Sequence, residues 1–223
     1  MSNEMKNVLI LGGSKGLGLA IKNELGDIAL SISRSDEIKV DLSKPDSLGI
    51  VKEVIQSKPF DTIIYCAGGG PHGDYFSKSI QSHYWAYQVN FFRPIEIADY
   101  LKSISFKGLF VYVGSAIAER SNSKKSLSYS ISKKSSLLAL LSMPEESLKV
   151  RVFSPPYMNT GLLPKHSWPR VEAPELVLET KEVAQALLSW LGSSQLNPSG
   201  GSDPRHFDWI KRFTYSLTER KEI

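Results

Sequence analysis

A buried strand that runs directly into a glycine-rich turn is the feature that most constrains this chain. Residues 8–11, Val-Leu-Ile-Leu, are apolar throughout, and the segment 12–18, Gly-Gly-Ser-Lys-Gly-Leu-Gly, opens a predicted helix over 16–25. A tight turn at a helix N-terminus presents free backbone N–H groups and the positive end of the helix dipole to an anion. Glycines also serve ordinary turns, but after a first strand they favour a phosphate-binding loop. The predicted contacts with a dinucleotide lie at Gly12, Ser14, Lys15, Gly16, Leu17 and Gly18.

Strand and helix patterns alternate along the rest of the chain. Apolar runs predict strands over 7–11, 28–33, 62–66, 109–113 and 150–153, and the patterns between and after them predict helices over 16–25, 45–57, 80–103, 126–142 and 181–191. This order predicts an α/β fold, a doubly wound Rossmann-type parallel sheet with helices on both faces. We expect a single domain over 1–223, with ligands at the carboxyl ends of the strands. Residues 199–210 are expected to form a loop and a short helix.

A tyrosine and a lysine on one predicted helix indicate proton transfer. Tyr129 and Lys133 are four residues apart, so their side chains share a helix face, and Ser115 ends the apolar run 109–113 that precedes them. A phenol has an ordinary pKa of about 10 and exchanges its proton readily near pH 7 only if a neighbouring cation stabilises the phenolate. Lys133 is placed to supply that cation.

Taken in order, these motifs resemble the short-chain dehydrogenase/reductase family of the compact single-domain kind. The matching positions cover nearly the whole chain and are the glycine loop, Asp41-Leu42 on the adenine side, Tyr65-Cys66-Ala67-Gly68, Asn90, Ser115, Tyr129, Lys133 and the segment 155–160, Pro-Pro-Tyr-Met-Asn-Thr. The chain departs from the family pattern at Leu11, at Tyr65-Cys66 and at Pro156, where the family has threonine, two asparagines and glycine. The first two changes remove hydrogen bonds that brace the site, and Pro156 stiffens the loop that follows.

The resemblance implies a role for each matching residue. Tyr129 would be the acid, Lys133 would lower the pKa of Tyr129 and hold the nicotinamide ribose, and Ser115 would donate a hydrogen bond to the substrate oxygen. Asn90 would anchor a water that links Lys133 to solvent. The implied cofactor contacts beyond the glycine loop are Asp41, Leu42, Ala67, Gly68, Tyr129, Lys133, Pro155 and Thr160. Asp41 could also serve the following helix, with Ser43 the preferred N-cap.

The type of nicotinamide cofactor is predicted from the end of the second strand. An acid at that position normally accepts hydrogen bonds from the ribose 2′-OH of NAD. This chain has Ser33 and Arg34 there, Asp36 comes later in the turn, and Lys15 lies in the glycine loop. Two cations and a hydroxyl favour the 2′-phosphate of NADP(H).

These observations predict an NADPH-dependent ketoreductase or alcohol dehydrogenase that acts on a small carbonyl or hydroxyl compound. A rival hypothesis is a non-catalytic NADP(H)-binding sensor or regulatory protein, to which the departures at Tyr65-Cys66 and Pro156 would be no obstacle. A nucleotide-sugar epimerase or dehydratase needs a longer C-terminal substrate domain than the chain provides after Lys181.

Composition agrees with a globular enzyme. The chain has 223 residues, 41% of them hydrophobic, and a net charge of +4 without a cationic stripe of the kind that binds nucleic acid. One cysteine, Cys66, excludes an internal disulfide, and the four histidines show no metal-ligand spacing. The polar N-terminus and the lack of a long apolar run predict a cytoplasmic protein with no membrane partner.

The substrate pocket and the quaternary structure follow from the same resemblance. We expect the pocket to be lined by 72–76, 116–120 and 157–170, with 157–174 forming a lid. Lys165, His166 and Arg170 would suit an anionic substrate, or would simply be a solvated basic surface. A homodimer is expected through two helices that carry the apolar residues Phe91, Phe92, Ile95, Leu137, Leu138 and Leu141.

Overall fold

The computed structural model describes residues 5–116, 118, 126–193 and 203–209. Their framework is a seven-stranded sheet in the order β3-β2-β1-β4-β5-β6-β7, in which every neighbouring pair is parallel. The strands are β1 Val8–Leu11, β2 Ala29–Ser33, β3 Ile38–Lys39, β4 Thr62–Tyr65, β5 Leu109–Val113, β6 Lys149–Ser154 and β7 His206–Asp208. The predicted α/β fold with a parallel sheet is confirmed.

Helices lie on both faces of the sheet. They are α1 Gly16–Leu25, α2 Ser47–Ser57, α3 Ile80–Tyr87, α4 Arg93–Ser103, α5 Leu127–Leu141, α6 Trp168–Val171 and α7 Thr180–Gly192. A π-helical turn, Gln88–Phe92, joins α3 to α4 without a break. The predicted long helix over 80–103 is therefore real but irregular at its centre.

Each strand contributes to two apolar layers because successive side chains point to opposite faces of a sheet. Leu9 and Leu11 of β1 join the larger layer, while Val8 and Ile10 join the layer on the other face. The larger layer is completed by α2, α4 and α5 and the smaller one by α1 and α7. The carboxyl ends of the central strands are thus held at one edge, together with the turns that follow them.

The chain's C-terminal part differs from the prediction. The loop and short helix expected over 199–210 are wrong for 206–208, which form β7 and pair with β6. Phe207 is buried there and stacks on Phe153, with ring centroids 5.0 Å apart. The two-residue strand β3 was also not predicted. Among the described residues, no helix is long and apolar enough to cross a membrane.

Candidate active site

The glycine loop forms a tight cradle at the carboxyl end of β1. Gly12 has a φ of 97°, and a Cβ atom at this position would lie 2.7 Å from the backbone nitrogen of Ala67. A Cβ at Gly18 would lie 2.1 Å from the carbonyl oxygen of Gly12. No side chain caps the N-terminus of α1. The cradle therefore leaves the first N–H groups of α1 available to an anion, which fits the phosphates of a dinucleotide.

A cavity of about 180 Å³ adjoins this cradle. Nine predicted cofactor residues lie at the cavity or in its wall, and they are Gly12, Ser14, Lys15, Ser33, Arg34, Asp41, Leu42, Ala67 and Gly68. Leu17 is buried in the core, so its side chain is not available to a ligand. Cys66, Trp85 and Val89 also line the cavity. Burial raises the pKa of the Cys66 thiol to about 12 against the opposing charge of Lys133, so the thiol stays protonated.

Asp41 shapes the cavity wall through a turn of its own. Its carboxylate accepts hydrogen bonds from the backbone N–H and the hydroxyl of Ser43, at 3.1 and 2.7 Å. Burial alone would raise the pKa of Asp41, but these bonds and the nearby charge of Arg34 outweigh it, and the pKa is lowered. The predicted N-cap role of Ser43 is wrong because α2 begins at Ser47, four residues later.

The same wall is braced from behind by a buried arginine. Arg93 donates from Nε to the carbonyl oxygen of Leu42 at 3.0 Å and from a terminal nitrogen to that of Lys44 at 2.6 Å. It also pairs with Glu96 at 2.7 Å. An arginine that is 1% exposed thus fixes the backbone of the turn on the predicted adenine side. Sequence reasoning missed Arg93 because its acceptors are main-chain atoms about fifty residues away.

The end of β2 presents a hydroxyl and a cation to the cavity. Ser33 accepts a hydrogen bond from the backbone N–H of Ser35 at 3.1 Å, which leaves its own hydroxyl hydrogen for a ligand. Arg34 is exposed beside it. Asp36, the first acid after Arg34 in the sequence, pairs instead with Lys22 at 3.4 Å.

A buried lysine lies between the end of β5 and the turn after β4. Lys133, on α5, is 3% exposed and donates a hydrogen bond to the carbonyl oxygen of Val113 at 2.7 Å. Its ammonium also lies 4.7 Å from the centre of the Tyr112 ring, within cation–π range. A Cβ at Gly68 would be 3.0 Å from the same nitrogen. The ammonium is therefore held between β5 and the turn after β4.

Asn90 lies in the π-helical turn and organises its surroundings. Its side chain exchanges hydrogen bonds with the backbone of Gly69, at 3.1 and 2.7 Å, and donates to Ser132 at 3.0 Å. The backbone carbonyl oxygen of Asn90 accepts hydrogen bonds from the hydroxyls of Tyr112 at 2.9 Å and Ser136 at 2.6 Å. Two protein hydroxyls thus bind the Asn90 carbonyl, and the water anchored by Asn90 stays a prediction.

A second tyrosine supports the same turn. The hydroxyl of Tyr65 donates to the carbonyl oxygen of Val89 at 2.6 Å, and its ring stacks on that of Tyr112 at 6.1 Å. Tyr65 replaces an asparagine of the family pattern, and in this chain it braces the helix that carries Asn90. Burial raises the pKa of Tyr65 far above its usual value, so its hydroxyl remains a donor.

A larger cavity of about 390 Å³ opens at the carboxyl ends of β5 and β6. Ser115, Tyr129, Pro155 and Thr160 all line it, while their roles in catalysis and cofactor binding stay predictions. A Cβ at Gly70 would lie 2.8 Å from the Cβ of Tyr129, and one at Gly16 would lie 3.4 Å from the methyl group of Thr160. Tyr129 therefore packs against the turn after β4, and Thr160 packs against the glycine loop.

The rest of this wall corrects the predicted pocket. Of residues 72–76 only His72 lines it; Tyr75 stacks on His83, and Phe76 is 92% exposed. Ala118 lines the cavity but Ala116 does not, and Ile117, Glu119 and Arg120 lie outside the described residues. The remaining lining residues that are described are Gly70, Pro71, Gly114, Ser126, Ser130, Pro156, Tyr157, Met158, Leu162, Leu163, Pro164, His166, Ser167, Trp168 and Pro169.

Arg170 does not face the cavity. It donates hydrogen bonds to the carbonyl oxygens of Thr160 and Leu163, at 2.9 and 3.3 Å, and to the side-chain oxygen of Asn159 at 2.8 Å. Asn159 in turn donates to Glu179 at 2.8 Å. Arg170 therefore ties the segment after β6 together, a role that the basic composition of this segment did not indicate.

Solved structures of other proteins share this architecture. A short-chain dehydrogenase family protein from Francisella tularensis subsp. tularensis SCHU S4 is 24% identical, with a TM-score of 0.68 over 86% of this chain and 92% of that one. The 3-alpha-hydroxysteroid dehydrogenase from Pseudomonas sp. B-0831, complexed with NADH, is 20% identical, with a TM-score of 0.67 over 90% and 93%. A short-chain dehydrogenase from Sphingobium yanoikuyae in complex with NADPH is 16% identical, with a TM-score of 0.69 over 98% and 96%.

The fold is therefore that of the short-chain dehydrogenases, as the motif order predicted. The sequence itself matches no protein-family model and no curated protein sequence. The similarity thus lies in the arrangement of strands and helices more than in overall residue identity.

Proposed function

We propose that this protein is an NADP(H)-dependent oxidoreductase that transfers hydride to or from a small carbonyl or hydroxyl compound. The observation that carries the proposal is one arrangement: Ser115 and Tyr129 line a single cavity, and buried Lys133 lies beside the turn that separates this cavity from the glycine cradle. Such a set of groups has no evident purpose in a protein that only binds a nucleotide.

The proposed chemistry follows the charge that develops on the substrate oxygen. When bound, the nicotinamide supplies or accepts the hydride. In reduction, Tyr129 gives its proton to the carbonyl oxygen, and the hydroxyl of Ser115 donates a hydrogen bond to the same atom. The Lys133 ammonium stabilises the phenolate that Tyr129 becomes, and its bond to Val113 keeps it in position.

The cofactor is proposed to be NADP(H) because of the cations at its predicted ribose end. Lys15 and Arg34 line the smaller cavity together with Ser33, and Asp36 forms a salt bridge with Lys22. The solved structures with this fold include one complexed with NADPH and one with NADH, so the fold accepts either cofactor. Each charge-assisted hydrogen bond to a 2′-phosphate should contribute about 1–3 kcal/mol.

Catalysis is tested with two matched tyrosine variants. Carbonyl compounds are screened by the loss of NADPH absorbance, and the best substrate is given to Tyr129→Phe and Tyr84→Phe. Tyr84 is an exposed tyrosine on α3 and serves as the control. We expect Tyr129→Phe to lose about 10²–10⁴-fold in kcat with little change in NADPH affinity, while Tyr84→Phe stays at wild-type activity. A Tyr129→Phe enzyme with most of its activity would remove Tyr129 from the mechanism.

Cofactor choice is tested separately, by titration of NADPH and NADH at fixed ionic strength. Arg34→Ala should lose about tenfold or more of the preference for NADPH. Lys107→Ala removes the same charge from an exposed position just before β5, at the opposite edge of the sheet, and should change neither constant. Equal affinities of the wild type for the two cofactors would contradict the proposal.

The rival function, a sensor that binds NADP(H) without turnover, is distinguished by the same screen. Tight NADPH binding with no substrate among chemically diverse ketones, aldehydes and alcohols would favour the sensor. The four groups Asn90, Ser115, Tyr129 and Lys133 favour the enzyme.

A homodimer and a lid over 157–174 complete the proposal. Of the apolar residues expected at the dimer surface, Phe92 is 49% and Leu138 is 62% exposed, whereas Leu137 is buried in the core. Leu138→Glu should therefore shift the sedimentation coefficient to that of a monomer. A wild-type protein that sediments as a monomer at all concentrations would contradict the dimer.

A further inference from the structure

The larger cavity is lined mainly by apolar residues, with hydroxyl and imidazole groups among them. Among the described residues that line it, no side chain is aspartate, glutamate, lysine or arginine. The same cavity as Ser115 and Tyr129 is lined by Met158, Leu163, Trp168 and several prolines. Two imidazoles, His72 and His166, are exposed at the cavity's edge.

The lysine and the arginine of the segment 157–174 do not line this cavity. Arg170 places its guanidinium on Asn159, Thr160 and Leu163, within its own segment. Lys165 is exposed and does not line the cavity. Of the three basic residues that made an anionic substrate plausible in the sequence, Lys165 and Arg170 are therefore not part of the described cavity wall, and only His166 lines it.

The remaining polar side chains provide neutral hydrogen bonds. Ser126 lies 2.9 Å from Nδ1 of His72, and both line the cavity. The hydroxyl oxygen of Ser167 is buried at the same cavity and has no hydrogen-bond partner among the described residues. Hydroxyl groups suit a neutral ether, ester, amide or alcohol oxygen, but they do not replace the water that an entering carboxylate loses.

We infer that the substrate is an uncharged, largely apolar carbonyl or hydroxyl compound, not one that carries a carboxylate or a phosphate. The inference rests on the proposed oxidoreductase function and specifies the substrate class of the same site. An apolar ring or chain would pack against Met158, Leu163 and Trp168, with a neutral polar group directed to Ser126 or Ser167.

The test uses three compounds with the same reacting ketone, of which one is a carboxylate and two are uncharged. They are 4-oxocyclohexanecarboxylic acid, its primary amide and its methyl ester, so the acid and the amide are nearly equal in size. With saturating NADPH at pH 7.5, we expect kcat/KM to fall in the order ester, amide, acid, with at least about a tenfold gap between the amide and the acid. An acid that is reduced as well as the amide would overturn the inference.

Binding is measured in parallel with the Tyr129→Phe protein saturated with NADPH, by calorimetry. Turnover with a preference for the acid would leave the oxidoreductase standing and remove the substrate class. No turnover in the wild type, together with tighter binding of the ester than of the acid, would remove the oxidoreductase function and leave the inferred ligand class standing. Failure of the ester to bind at millimolar concentration would also overturn the inference.

Three variants localise the effect to the cavity. Leu162 lines the cavity and is 52% exposed, so Leu162→Arg can add a cation at its edge without burying the charge. It should raise the acid-to-amide ratio of kcat/KM by about tenfold. Ile50→Arg adds the same charge on α2 and Lys165→Ala removes the lid's lysine, and neither should change that ratio. A large loss of acid reduction in Lys165→Ala would show that the lid's charge recruits anions.

Discussion

The turn after β4 offers a way to disturb the site without touching a reacting side chain. A Cβ at Gly68 would lie 2.8 Å from Oδ1 of Asn90 and 3.0 Å from Nζ of Lys133. Ordinary contacts to a Cβ begin at 3.4 Å, so these two atoms must move by about half an ångström in Gly68→Ala. Neither moves freely, because Asn90 is bound to Gly69 and Ser132, and Lys133 is bound to Val113.

The magnitude follows from what that movement weakens. Overpacking costs about 1–3 kcal/mol, and a weakened hydrogen bond from a charged group costs a similar amount. If the displaced Lys133 ammonium stabilises the Tyr129 phenolate less by about 1.4–3 kcal/mol, kcat/KM falls by about 10- to 150-fold. We expect this loss in Gly68→Ala, together with a lower melting temperature.

The assay compares Gly68→Ala with Gly49→Ala. Gly49 lies within α2, and a Cβ there would meet nothing within 4 Å, so the same substitution should stabilise the protein by about 0.5–1 kcal/mol through helix propensity. NADPH oxidation, thermal unfolding and the NADPH dissociation constant are measured for both variants. A Gly68→Ala protein within twofold of the wild type in kcat/KM, and equal to it in melting temperature, would refute the packing argument.

Three further predictions concern other parts of the fold. Gly18→Ala should weaken NADPH binding at least about 100-fold in calorimetry, because its Cβ would lie 2.1 Å from the Gly12 oxygen and open the cradle; unchanged affinity would place the phosphates elsewhere. Arg170→Met should raise the substrate KM about tenfold more than it lowers kcat, since the segment after β6 loses three hydrogen bonds, and Arg170→Lys should recover part of the loss. Hydrogen bonds from Arg205 lower the pKa of Asp203 from 3.8, so this carboxylate stabilises the fold above about pH 4 and stops doing so as the pH falls through its lowered pKa. Asp203→Asn should therefore reduce the free energy of unfolding in urea by about 1–3 kcal/mol at pH 7 and by progressively less in acid, and a deficit that is constant with pH would contradict this assignment.

The parts of the fold that the sequence predicted correctly are those with local causes. The strand, turn and helix over 8–25 are encoded within eighteen neighbouring residues. The placement of Tyr129 and Lys133 on one helix face follows from their four-residue spacing. The grouping of the predicted cofactor residues around one cavity followed as well, because parallel strands bring their carboxyl ends to one edge, whereas their contacts with a cofactor stay a prediction.

The parts that escaped prediction depend on distant partners. β7 is three residues long, and its burial depends on Phe153 and Trp190, which a local pattern cannot reveal. The π-helical turn is stabilised by hydroxyls from strands and from a later helix. The charge of Arg170 suggests a ligand-binding residue, and only the position of its hydrogen-bond acceptors shows that it braces its own segment.

The hydrogen bonds to the π-helical turn have a consequence for folding. The donors Tyr65, Tyr112 and Ser136 lie 24, 22 and 46 residues from their acceptors in Val89 and Asn90. They come from β4, β5 and α5, so the irregular helix gains its partners only when all three have docked. Non-local contacts of this kind form late, because loop closure must come first. A chain in which only the first four strands have paired would therefore hold the glycine cradle while it still lacks an ordered Asn90, so we expect the proposed nucleotide binding to be gained before the proposed turnover.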